Sequence, residues 1–186
     1  MRKTIYLCFL LIGLSLPGMT QNKLFTKSAS VSFFSKTAIE KIEAINKKTL
    51  AVIDTANNKI EFSLLIKGFE FEKALMQEHF NEDYLESDLY PKAVFKGKFD
   101  EINLPITFTE NETQNLQVSG KLTMHGVTKP ITLVAAFAVK KQVISATAAF
   151  TVVLSDYKIK VPALVANNIS KEILLKINIP SLQQIK

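Results

Sequence analysis

The sequence predicts an all-β fold, an antiparallel barrel of about eight strands with one mid-chain amphipathic helix. Three observations carry that expectation. Apolar and polar residues alternate with a period of two along most of the chain, turn-forming residues punctuate the alternation at short intervals, and after Gly68 the period becomes helical. The 186 residues suffice for one sizeable core, and no low-complexity break divides them, so a single domain over residues 21–186 is expected behind a leader at 1–20.

The first strand is read in 28–34, where Ala29, Val31 and Phe33 alternate with small and polar residues. Residues 37–46 have a helical spacing, with Ala38, Ile39, Ile42 and Ile45 roughly on one face, and are read as a short surface helix or turn outside the barrel. Strands resume at 49–54, and Ala56 to Lys59 supply a hairpin turn. Its second arm points Ile60, Phe62, Leu64 and Ile66 one way. Phe71, Leu75, Met76 and Phe80 then share a helical face, with Glu70 and Glu72 suited to the positive end of that helix.

Tyr90-Pro91 fixes an extended entry into the next strand, since the residue before proline avoids helical angles. There Ala93, Phe95, Gly97 and Phe99 form one face. A glycine among aromatics weakens a strand unless the chain bends or something approaches its backbone, so Gly97 predicts a barrel corner or a ligand contact. Leu116, Val118, Gly120, Leu122 and Met124 repeat the pattern, and His125-Gly126 turns the chain into 128–139, with Pro130 confined to a strand edge or start. In 143–154 the face Ile144, Ala146, Ala148, Phe150, Val152 and Leu154 is rich in small residues, which leaves room for an internal channel. Ser155 to Tyr157 and Pro162 break that strand, and Ile173, Leu175, Ile177 and Ile179 form the last.

Met1, Arg2 and Lys3 followed by the apolar run from Ile5 to Leu16 have the layout of a secretory signal peptide, with cleavage near Thr20 and Gln21. The run is short for a spanning helix, and no later segment approaches ~20 apolar residues, so stable membrane insertion is not expected. Cys8, the sole cysteine, lies inside the run, which leaves the mature chain without a disulfide or a thiol catalyst and gives no lipid-anchor site. Loss of Arg2 and Lys3 takes the net charge from +6 to +4, and every remaining basic residue is a lysine. Scattered lysines on alternating strands read as a solvated face and not as a nucleic-acid footprint, while transient attraction to an anionic membrane surface stays open.

Three blocks, HFNEDYLESDLYPKAVFKGKF, VSGKLTMHGVTKPITL and FTVVLSDYKIKVPALV, in that order, resemble the YceI family of bacterial envelope proteins. The resemblance spans about Val31 to Ile179, and the second block is its most specific part. It implies a lipocalin-like barrel, periplasmic or secreted, whose interior holds a polyisoprenoid or related amphiphile. It names no head-group residue. The residues expected at the cavity or its lid are Phe71, Leu75, Met76, Phe80, Phe95, Gly97, Phe99, Gly120, Leu122, Ala146, Ala148 and Phe150, with space beside Gly97 between Phe95 and Phe99. At roughly 0.8 kcal/mol per buried methylene, about ten carbons contribute on the order of 8 kcal/mol before ordering costs, so binding does not require a charged anchor.

No hydrolase, phosphate-loop, metalloprotease or dinucleotide motif occurs, and no cofactor, metal site or catalytic residue is expected. A metal held by His79 and His125 would need the helix end to meet the hairpin turn, and Ser119, His125 and Asp156 lack a nucleophile elbow. Two rivals remain: an enzyme acting on a lipid or isoprenoid precursor, and an envelope interaction or stress module with a filled interior. Oligomeric state is left undecided.

Overall fold

The computed structural model describes residues 22–100 and 104–185. The expected leader and Cys8 lie outside them. The chain forms nine strands: β1 (Lys23–Lys36), β2 (Lys41–Asp54), β3 (Lys59–Leu65), β4 (Phe69–Phe71), β5 (Lys92–Phe99), β6 (Thr113–Met124), β7 (Val127–Lys140), β8 (Val143–Val153) and β9 (Glu172–Gln184). Eight of them close an antiparallel barrel in the order β1-β9-β8-β7-β6-β5-β3-β2, with β1 pairing β2 to complete the ring. The three-residue β4 continues the line of β3 along the edge of β2 after a turn of 3-10 helix at Ile66–Gly68. No helix among the described residues is long and apolar enough to cross a membrane.

Closure forces two of the long strands to bend, and the bends explain why part of the alternation is hard to read. In β1 the buried set runs Leu24, Thr26 and then Ala29, Val31, Phe33, Ser35, a change of phase that coincides with register shifts against β2. In β2 it runs Ala44, Asn46 and then Thr49, Ala51, Ile53. The helix or turn expected over 37–46 is therefore a tight turn followed by strand. Its fully buried positions, Ala44 and Asn46, hold a small residue and a polar one, while Ile42 on the same inward face is half-buried and Ile39 is exposed, so the isoleucine spacing mimics a helix. Asn46 is fully buried because its side chain serves the bend, donating to the Leu65 carbonyl at 2.8 Å and accepting from the Lys48 N–H at 2.9 Å.

The hairpin at His125-Gly126 has both residues at positive φ, 50° and 70°, the twist that suits a two-residue turn between right-twisted strands. A side chain on Gly126 would sit 2.7 Å from the Tyr90 ring, so glycine is needed for space as well as for angle. Pro130 lies opposite Lys121 on β6, in the part of β7 that has no ladder to β8, which removes the conflict over its missing N–H.

Candidate functional site

Alternation aims one face of each barrel strand inward, and at one end of the barrel those faces do not meet. They enclose a cavity of about 300 Å³ whose wall is apolar, with Phe62 and Leu64 from β3, Ala93 and Phe95 from β5, Leu122 and Met124 from β6, and Ile131 and Leu133 from β7. Small residues make the room: Ala135 stands opposite Ala148 across β7 and β8, and Ala146 stands opposite Phe137. Ile131, Leu133, Ala148, Phe150, Leu175 and Ile177 all line the cavity yet are only half-buried, as inward side chains are when no neighbour fills the space in front of them.

The upper end is covered by a short lid. It comprises β4, α1 (Ala74–His79) and a single π-turn over Phe80–Tyr84. Phe33, Phe69, Phe71 and Phe80 make an aromatic cluster with ring centroids 5.0 to 5.5 Å apart, and all four face the cavity. Met76, Tyr84 and Leu85 complete the ceiling. Leu75, expected on the same face, is instead 61% exposed: Phe71 lies in β4 and α1 starts only at Ala74, so Met76 and Phe80 set the inward face and Leu75 falls about 100° away from it. For the same reason Glu70 and Glu72 do not sit in its first turn. Glu70 lies in β4, with its carboxylate 3.6 Å from Lys47.

The lower end is solid. Phe137, 1% exposed, stacks on Phe108 at 5.0 Å and meets Phe99 edge-on at 5.7 Å. Only Phe137 of these three reaches the cavity, as its floor. Phe99, expected to line it, belongs to the packed region below, and the space expected at Gly97 is already occupied. Gly97 and Gly120 face each other across β5 and β6, and the Phe95 ring lies over both; a side chain on Gly97 would fall 2.7 Å from that ring and 2.7 Å from the Ser119 carbonyl. The pair is a barrel corner sealed by Phe95. Neither glycine lines the cavity.

Of the residues nominated from sequence, Phe71, Met76, Phe80, Phe95, Leu122, Ala146, Ala148 and Phe150 line the cavity. Val31, Ile131, Leu133, Ile159, Leu175 and Ile177 line it too and were not nominated. Their alternation was legible, but nothing local separates an inward residue over empty space from one over a filled core.

Polar groups collect at the rim. Glu40, which lines the opening, accepts from the Asn168 side chain at 3.0 Å, and the Ser35 hydroxyl accepts from the Ser170 N–H at 2.8 Å. His79 and Tyr84 also face the opening, and burial, helped by the Asp83 carboxylate, pushes the Tyr84 phenol up. From Phe69 to Tyr90 the lid and its connection carry seven carboxylates and a single lysine, in a chain of net charge +6. Three large apolar side chains stand exposed beside residues that line the cavity: Ile39 next to Glu40, Leu75 next to Met76, and Leu164, 96% exposed, next to Val165.

His125 does not face the cavity. Its Nε2 bonds the Glu86 carboxylate at 2.9 Å and its Nδ1 bonds the Tyr157 carbonyl at 2.8 Å, so it fastens the β6–β7 turn to the lid connection and to the segment after β8. Both oxygens are acceptors, and both bonds form together only when each ring nitrogen carries a proton. The Ser119 hydroxyl is bonded elsewhere, to Asp100 at 2.5 Å. Among the described residues no group of three or more His, Cys, Asp or Glu side chains is placed to hold a metal.

Such a molecule falls in the class of small closed β-barrels with a lidded apolar interior. More narrowly, the chain belongs to the YceI-like domain family, whose model matches residues 23–180. Solved structures of similar fold include a polyisoprenoid binding domain from Saccharophagus degradans implicated in plant cell wall breakdown, at 13% identity and TM-score 0.76, covering 89% of this chain and 99% of that one. BcnA of Burkholderia cenocepacia is similar at 16% identity and TM-score 0.66, covering 81% and 94%. A Campylobacter jejuni YceI protein is similar at 22% identity and TM-score 0.58, covering 77% and 84%. No curated protein matches the sequence.

Proposed function

We propose that this protein binds the tail of a polyisoprenoid or related amphiphile in its upper cavity and holds it without transforming it. The apolar wall of the cavity is the observation that carries this reading, since burying a tail there replaces water against some 300 Å³ of hydrocarbon-lined space. Membership of the YceI-like family and the polyisoprenoid-binding description of the Saccharophagus relative support it. The polar groups Glu40 and Ser35 at the rim are bonded to Asn168 and Ser170, which suits a structural frame better than a reacting centre. The leader-like first twenty residues support a periplasmic or secreted location. The ligand enters by brief contact of the rim with a membrane, where Ile39, Leu75 and Leu164 stand exposed.

Native mass spectrometry of protein purified from its own host tests the reading. An adduct that organic solvent extracts as an apolar lipid is expected. A cavity empty in every preparation, or retention of polar solutes alone, counts against it.

A further inference from the structure

The cavity ends well inside the barrel. On β9 the lining residues run from Ile173 to Ile179, and Leu182, the next inward residue, is packed away from it. Six steps at about 3.3 Å, inclined by about 40° to the barrel axis, give a depth of about 15 Å. With carbon–carbon bonds of about 1.5 Å in a staggered zigzag, about 1.3 Å of length per carbon, that depth takes about twelve chain carbons.

We infer that the Phe137 floor sets the length of tail this protein accepts, so that its ligand is a short amphiphile with a tail of about three isoprene units, not a long polyprenyl chain. The inference rests on the lipid-binding reading and narrows its ligand class. The floor does not yield easily, because Phe137 is buried and is backed by the Phe99 and Phe108 rings. A longer tail must then leave its end in water or fold back, and the added carbons contribute nothing.

Calorimetric titration with isoprenoid alcohols of two, three and four units tests this. Affinity is expected to rise about fourfold per added carbon until the third unit and then level off. Phe137→Ala moves the break toward four units, and Ala146→Leu moves it toward two. Circular dichroism establishes that each variant is folded; if Phe137→Ala is not, the shift in Ala146→Leu decides. Affinity that climbs steadily through four units and beyond in the unmodified protein, or a break that neither variant moves, overturns the length limit while leaving lipid binding intact. No binding at any length removes the lipid reading and the limit with it.

Discussion

The two ends of the barrel are built from the same kinds of residue and do opposite things with them. Below, Phe137 packs on both Phe99 and Phe108 within a core that also holds Ile53 and Val118, and the loop before β6 seals the end with Ile106, whose N–H bonds the Thr55 carbonyl at 2.9 Å. Above, Phe33, Phe69, Phe71 and Phe80 make a cluster of similar spacing, but it is laid over alanines and a gap. Aromatic content therefore does not decide whether a barrel is hollow. What decides it is whether other side chains fill the space in front of the rings. Phe99 has Val118 opposite it on β6, whereas Ala135 and Ala148 face each other beside the cavity.

The largest expected effect separates the two clusters directly. Phe137→Ala should lower stability by about 3–5 kcal/mol, as for a fully packed aromatic, while Phe80→Ala over the cavity should cost about 1–2 kcal/mol and instead weaken isoprenoid-alcohol binding. Urea unfolding with calorimetry measures both, and equal stability losses would erase the distinction between ends. Next comes Gly97→Leu. Because Phe95 and the Ser119 carbonyl already fill the site, it should destabilise by about 2–4 kcal/mol; a stable variant with a blocked cavity would mean that Gly97 opens on the interior after all.

His125→Ala should cost about 2 kcal/mol by freeing three elements at once. Hydrogen exchange is expected to quicken in 80–91 and 155–161 and to stay unchanged at the lower end. Uniform quickening would show that the upper closure is not a separate unit. Smaller again is the effect of head-group charge: with Glu40 at the rim and seven carboxylates on the lid and its connection, an isoprenoid diphosphate should bind about tenfold more weakly than the matching alcohol, and added salt should narrow the gap. Tighter binding of the diphosphate would reverse the electrostatic reading of the rim.

The smallest effect lies at the lower end, in the β2–β3 turn. The Asn57 side chain, with its backbone N–H and the nearby Lys23 charge, holds the Asp54 carboxyl below its ordinary value of 3.8. A lowered folded-state pKa contributes stability above the ordinary value, and that contribution is lost as pH falls through the folded one. Melting temperature should therefore drop below about pH 4, and less steeply in Asp54→Asn; parallel curves would remove Asp54 from the acid limb.

Much of this was legible in the chain, for a physical reason. A strand with one wet and one dry face must alternate, so β3, β5, β6, β8 and β9 announced themselves, and a two-residue turn at positive φ asked for the glycine at 126. The start of β2 did not, because its inward positions run from Ile42 to the small Ala44 and the polar Asn46, and a bulge shifts the phase between them and Thr49. Leu75 misled because Phe71 belongs to a strand, so its four-residue spacing to Leu75 carries no helical meaning, and the inward face through Met76 lies one residue, about 100°, away.

The sequence by itself determined the barrel, its strand count and the inward face of most strands, since periodicity is a local consequence of backbone geometry. Which inward residues touch one another and which look into empty space was decided only by closure of the sheet. That step set Ala135 against Ala148, laid Phe95 over two glycines and stacked Phe137 on Phe108. Volume left unfilled depends on partners far apart in the chain, and no single stretch of residues records it.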